Sequence, residues 1–264
     1  MRSLCIALIL ISTLPGGARA QDPAPAAGAT ALNTEILAGH SDVNGGLQDG
    51  RSREAHFIWQ RPGGDVARLE LLDEHKFGSR GGLFVASYTL VPDPMWILAG
   101  AAVAGHGGPN WARRRVDLEV SRKWLEQGSL ITRLAGYHAT YDNRRSDTGL
   151  RAAMVGYLPS SLVLEAGAIF NRSQPGSVRS VMPYASLTQG QHGWQYLSLR
   201  VSDGHEAYQA LGQGQQLVDF RSRSVGLQWR RWLGQRWGFI ARAEHYSNPS
   251  YTRSTLDLGF FAGF

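Results

Sequence analysis

Ser254-Thr-Leu-Asp-Leu-Gly-Phe-Phe-Ala-Gly-Phe264 is the last stretch of the chain. Counting back in twos from the end gives Phe264, Ala262, Phe260, Leu258 and Leu256, all apolar. The other parity gives Gly263, Phe261, Gly259, Asp257 and Thr255, mostly small or polar. Successive side chains of a strand point to opposite faces. The segment therefore reads as a strand with one continuous apolar face and one face that tolerates charge.

The same alternation recurs upstream. Val116, Leu118 and Val120 share one parity against Arg115, Asp117, Glu119 and Ser121. Leu197, Leu199 and Val201 alternate with Ser198, Arg200 and Ser202, and Val225, Leu227 and Trp229 oppose Ser224, Gly226, Gln228 and Arg230. The body divides into fourteen such segments: 32–41, 52–61, 66–76, 83–91, 95–105, 114–124, 129–141, 148–158, 161–171, 179–188, 193–203, 219–232, 237–246 and 252–264. Most are close to the roughly 9–11 residues of a tilted membrane-crossing strand. Their connections alternate in kind. One set is tight and rich in Pro, Gly, Asp and Gln (62–65, 92–94, 125–128, 159–160, 189–193, 233–236), the residues that turns need. The other set is mostly longer and polar (43–51, 106–113, 171–178, 204–218).

No segment beyond residue 20 is apolar enough to cross a membrane as a helix. A closed barrel escapes that test, because only every second residue must be apolar. The expected fold is all-β, a transmembrane antiparallel up-and-down barrel of about 14 strands, with 12 to 16 as the range. Tight turns at one end and longer loops at the other place both termini in the periplasm. Trp59, Trp96, Trp124, Trp194, Trp232 and Trp237 fall near the tight turns, where an aromatic girdle belongs.

Residues 1–20 read as a secretory signal peptide: Arg2, the apolar run 4–11, and Ala18-Arg19-Ala20 before the cleavage point. The only cysteine, Cys5, lies inside it, which leaves the mature chain without disulfide or thiol chemistry. Residues 21–31 read as a Pro/Ala-rich linker and 32–264 as the barrel. The formal charge is +6, and +4 once Arg2 and Arg19 are removed. Arginine dominates the basic side and suits bidentate contact with phosphate or carboxylate. In an exported chain this points to lipid phosphates or acidic saccharide and away from nucleic acid.

Asp257, Gly259, Ala262 and Phe264 follow the order polar, x, Gly, x, x, apolar, x, aromatic, which resembles the assembly signal on the closing strand of bacterial outer-membrane barrels. The barrel-assembly machinery is the partner this implies. The carboxy-terminal third resembles the YaiO-type outer-membrane β-barrel family. The resemblance rests on Leu197-Ser-Leu-Arg200, Asp203-Gly-His-Glu-Ala-Tyr208, Ser222-Arg-Ser-Val-Gly-Leu-Gln228, the turn 232–236 and Ala243-Glu-His-Tyr246. It implies an integral barrel of the Gram-negative outer membrane, associated with envelope-polysaccharide machinery.

Candidate functional residues follow from parity. The inward set holds Arg68, Glu70 and Glu74, then Arg115, Asp117, Glu119 and Lys123, then Arg133, Arg151 and Glu165. It continues with Arg200, Arg230, Arg242, Glu244 and Asp257. Facing rows of opposite charge make a polar pore, whereas paired charges brace a narrow lumen. Arg221 and Arg223 lie near the outer end with lipid-facing parity and are candidates for lipopolysaccharide phosphate. His245-Tyr-Ser247-Asn248 is similar to the His-x-Ser-Asn of PagL-type lipid A deacylases; His245 and Ser247 share a lipid-facing side, so a hydrolase is the alternative. The histidines show no zinc-like pair, and no cofactor or metal is expected. The expected function is a channel or accessory barrel passing hydrophilic saccharide material, with a non-conducting structural barrel as a further alternative.

Overall fold

The computed structural model describes residues 31–125, 128–212 and 215–264. The expected signal peptide and all of the expected linker but Ala31 lie outside the described residues, and Ala31 itself opens the first strand. The strands are β1 (Ala31–Val43), β2 (Gly50–Gln60), β3 (Val66–Lys76), β4 (Ser79–Asp93), β5 (Trp96–His106), β6 (Arg114–Trp124) and β7 (Leu130–Thr140). After a short 3-10 turn at Asp142–Arg144 come β8 (Ser146–Leu158), β9 (Leu162–Gln174), β10 (Val178–Gln191), β11 (Gln195–Gly212), β12 (Gln215–Trp232), β13 (Trp237–Ser247) and β14 (Thr252–Gly263). Each pairs antiparallel with its chain neighbours, and β1 closes on β14. Closure leaves no strand edge with unpaired backbone groups, which a lipid environment demands.

The closing seam explains the tail sequence. Phe264 N donates to Leu32 O at 2.8 Å and Leu32 N to Phe264 O at 3.3 Å, so the last residue is tied into the barrel. At Gly259 a Cβ would lie 2.2 Å from the Ile36 carbonyl oxygen, so only glycine lets the two strands meet there. Leu256, Leu258 and Phe260 point outward and are 52, 57 and 66 % exposed. An unbroken exposed apolar row of this kind is the surface a lipid bilayer covers.

Two boundary differences carry meaning. Strand β4 begins at Ser79, not residue 83, because Phe77 and Gly78 form a two-residue turn with φ of +51° and +76°. Both angles suit a hairpin turn that follows the strand twist. The larger difference is 204–218, expected as a loop. Strands β11 and β12 run on through it as an 18-residue pair, leaving 213–214 between them. Polar residues occur there on both parities (His205, Glu206, Gln209), which removes the alternation that marks the other strands.

The girdle needs one correction. Trp96, Trp124, Trp194 and Trp237 are outward and between 37 and 52 % exposed, and Trp59 is half-buried on the same side. Trp232 is one residue out of phase with the outward Trp229. It turns inward and packs edge-on against Phe261, with ring centroids 4.9 Å apart. Trp229 takes the outward place, donating from its indole N–H to Gln195 at 3.2 Å.

Candidate functional site

The interior of the barrel divides into four walls, set by what each strand places at its inward parity. On β6–β9 the wall is built from large charged and aromatic side chains. Arg115 makes a bidentate pair with Asp117 at 2.6 and 2.8 Å and lies over the Tyr137 ring. Glu119 accepts from Arg133 and from Arg151, and Arg133 reaches on to Glu165 at 3.3 Å. Glu165 also accepts from Tyr184 at 2.8 Å. Arg115, Asp117, Glu119, Arg151 and Glu165 are all buried.

The wall centred on the seam, β12–β14 with β1–β3, carries the other charges. Arg230 pairs with Glu35, Arg242 with Glu54 at 2.8 Å, Arg68 with Glu70 at 3.0 Å, and Arg253 with Glu244. His56 sits between Glu35 and Glu54 at 3.3 Å from each. Asp257 accepts from Ser52 at 3.1 Å. Glu35, Glu54, His56 and Arg253 are not among the expected lumen residues, although they share the inward parity of their strands. Each of these inward ion pairs lies within one wall. The lumen is therefore two banks, each pairing its own charges, and not two facing rows of opposite sign.

Between the banks lie two walls with few charges. On β4–β5 the inward residues Leu83, Val85 and Val103 pack with Trp111, which is 1 % exposed and donates to Glu74 at 3.2 Å. Segment 107–113 is thereby folded back into the mouth. On β10–β12 the inward residues are short: Ser186 and Thr188, Ser198 and Ser202, Ser224, Gly226 and Gln228. All are half-buried, and they pair hydroxyl to hydroxyl, Thr188 with Ser198 and Ser202 with Ser224, each at 2.8 Å. Arg200 lies among these short residues, over the Tyr184 ring. Lys123 is half-buried at the end of β6 that carries the tight turns.

The long β11–β12 hairpin closes over the end opposite the termini. Its Leu211 belongs to one buried cluster with Val43, Phe77, Tyr246 and Tyr251, and Leu217 packs against it. Phe77 sits on the β3–β4 turn, and five strands separate β3 from β11 in the ring. A hairpin that stood away from the barrel would not reach that cluster. Gln209 donates to the Tyr251 hydroxyl, and Glu206 accepts from Ser222 at 2.5 Å and from Tyr246 at 2.9 Å, so polar groups hold the bend as well.

The remaining expected residues lie on the lipid side. Arg221 makes a bidentate pair with Asp203 at 2.8 and 3.0 Å, and Arg223 shares that carboxylate at 3.0 Å. His245 Nδ1 lies 3.1 Å from Ser254 Oγ on the next strand, its register partner, while Ser247 is in register with Thr252. The structure brings His245 to Ser254 and leaves Ser247 two residues along. Asn248 caps the 248–251 turn by accepting from the Ser250 and Tyr251 amides. No cluster of three or more His, Cys, Asp or Glu among the described residues is arranged to hold a metal.

The model of the YaiO membrane beta barrel domain matches residues 44–209, more than half of the chain. No curated protein sequence matches it. Among solved structures, the Acinetobacter baumannii outer membrane protein Omp33 is similar over 89 % of this chain and 99 % of its own, with 10 % identity and a TM-score of 0.54. The CymD monoaromatic hydrocarbon channel is similar over 89 % of this chain and 88 % of its own, with 6 % identity and a TM-score of 0.53. An anion-selective porin from Comamonas acidovorans is similar over 89 % and 99 %, with 8 % identity and a TM-score of 0.50. At these identities the likeness is one of fold.

Proposed function

The chain belongs to the YaiO membrane beta barrel family, and on that premise we propose that it is an outer-membrane barrel giving hydrophilic material, saccharide above all, a narrow path along its hydroxyl-lined wall. The single observation that carries this reading is the contrast between the short, half-buried Ser and Thr residues of β10–β12 and the ion-paired wall of β6–β9. Hydroxyls that pair with one another exchange those bonds for a sugar hydroxyl or water at little net cost, because the net value of such a bond is only about 1 kcal/mol. Buried ion pairs do not exchange in that way. The β11–β12 hairpin covers the mouth and makes this the closed state of an accessory or gated barrel. By this reading the tight-turn end, with both termini, is periplasmic, and the hairpin end faces outward.

The barrel carries out no chemistry in this account. His245 spends its Nδ1 contact on Ser254, and the lipid-hydrolase alternative would have to run through that hydroxyl and not Ser247. The test is solute uptake by vesicles holding the folded protein, with neutral and acidic oligosaccharides compared. Slow uptake that Leu211→Asp accelerates supports the proposal, since a carboxylate cannot stay in the aromatic cluster that seats the hairpin. Uptake that is absent in both proteins points to a structural barrel. Deacylated lipid A in the same vesicles, lost in Ser254→Ala, identifies the hydrolase.

A further inference from the structure

On the outward face, at the hairpin end, Arg172 of β9 and Arg179 of β10 stand directly opposite each other in register. Both are exposed, and neither has a carboxylate partner among the described residues; Arg172 donates only to the Ser177 hydroxyl, at 2.9 Å. Like charges facing each other across a strand pair destabilise the sheet. The next two strands continue the patch with His205, Arg221 and Arg223. Asp203 and Asp219 answer part of it, leaving four arginines against two aspartates, a surplus of +2. Asp203 is already shared by Arg221 and Arg223, so the surplus falls at Arg172 and Arg179.

The level of the patch is as informative as its charge. Two residues further into the membrane on each strand, the outward residue is apolar: Phe170, Val181, Val201 and Val225, between 41 and 50 % exposed. The surface thus changes from oil to charge in one step on four adjacent strands, and on β9 and β10 that charge is arginine with no carboxylate partner among the described residues. An amphiphile with acyl chains and a phosphorylated headgroup matches both halves of that step, and a guanidinium pair matches phosphate oxygens bidentately.

We propose that the outward rim of β9–β12 is a binding site for lipopolysaccharide, in which Arg172 and Arg179 clamp one phosphate between them while Arg221 and Arg223 flank it. The placement of this rim in the outer leaflet rests on the orientation given above; the phosphate clamp does not. The experiment therefore measures binding in detergent, where orientation plays no part. Affinity of the purified full-length barrel is measured for lipopolysaccharide, for enzymatically dephosphorylated lipopolysaccharide, and in competition with inorganic phosphate. The variants are Arg172→Gln/Arg179→Gln and, as a control with the same charge removed elsewhere on the rim, Arg51→Gln/Arg114→Gln.

The expected result is a loss of affinity of roughly tenfold in the clamp variant, the equivalent of one good charge-assisted contact, with little change in the control. Dephosphorylation should weaken the wild type to the level of the variant and leave the variant unmoved. Without lipopolysaccharide the clamp variant should unfold no more easily than the wild type, because a repulsion has been removed. A variant that fails to fold in lipid-free detergent overturns the account of an unrelieved like-charge pair. Equal affinity of the two variants, or indifference to dephosphorylation, overturns the clamp. Binding abolished by millimolar inorganic phosphate would show a free-anion site and overturn the lipid assignment. Clamp binding in detergent together with surface labelling that puts the rim on the periplasmic side would overturn the orientation alone.

Discussion

Two walls of one barrel, made by the same strand rule, behave as opposites. On β6–β9 the inward face is crowded by long charged and aromatic side chains whose partners are already in place, with small and aliphatic residues such as Ala135, Ala153 and Ile169 packed between them. On β10–β12 much of the inward face is Ser, Thr, Gly and Gln, half-buried, with Thr188 paired to Ser198 and Ser202 to Ser224. Backbone geometry is common to both, so the difference lies entirely in side-chain volume and charge. It teaches that a polar lumen is not the same thing as a pore. One polar wall braces the barrel, and the other leaves room.

The largest expected effect falls on the bracing wall. Glu119→Ala leaves Arg151 buried without its carboxylate and half-buried Arg133 with Glu165 alone, and breaking such a site typically costs about 3–5 kcal/mol. Denaturant unfolding in micelles should show it. Ser198→Ala removes one hydroxyl pair on the other wall and should cost at most about 1 kcal/mol. Equal losses in the two variants would erase the distinction between the walls.

The seam offers an effect of similar size. Gly259→Val drives side-chain atoms against the Ile36 carbonyl and Leu37, so the variant should fail to reach the heat-resistant, fast-migrating form of a closed barrel. Recovery of that form at wild-type yield would mean that β1 and β14 can separate there at no cost. A smaller effect is expected at the tight-turn end. Asp65 accepts the Val91 amide at 3.0 Å and the Tyr88 hydroxyl at 3.0 Å, and these bonds hold its carboxyl below the usual carboxylate range. A depressed value means a contribution that is present above the ordinary carboxylate pKa and disappears as pH falls through the lowered one. Asp65→Asn should therefore lower stability slightly at neutral pH and not at all in strong acid, as pH-dependent unfolding would register.

The rule of two made much of this legible. Both boundaries of β3 and of β6 agree with the alternation, and Arg115, Asp117, Glu119, Arg151 and Glu165 lie inward as parity requires. Which charge meets which was not legible. Arg230 reaches Glu35 across two intervening strands, a contact fixed by the closing register and not by local spacing. The hairpin was hidden for a different reason: above the membrane both faces of a strand can be polar, so 204–218 loses the signal that lipid imposes on the rest. Trp111 was hidden because a loop residue has no parity to follow, and only the fold-back of 107–113 puts it against Val85 and Val103.

The measurement that goes most directly to the central claim is single-channel conductance in a planar bilayer, comparing wild type, Leu211→Asp, and Leu211→Asp with Ser202→Trp. The account predicts a wild type that is mostly closed and a Leu211→Asp protein with discrete openings. Those openings should be sharply reduced when an indole fills the hydroxyl wall. Openings of unchanged size in the Ser202→Trp background would contradict the path along β10–β12, and a folded Leu211→Asp barrel that never conducts would contradict the hairpin as its cover.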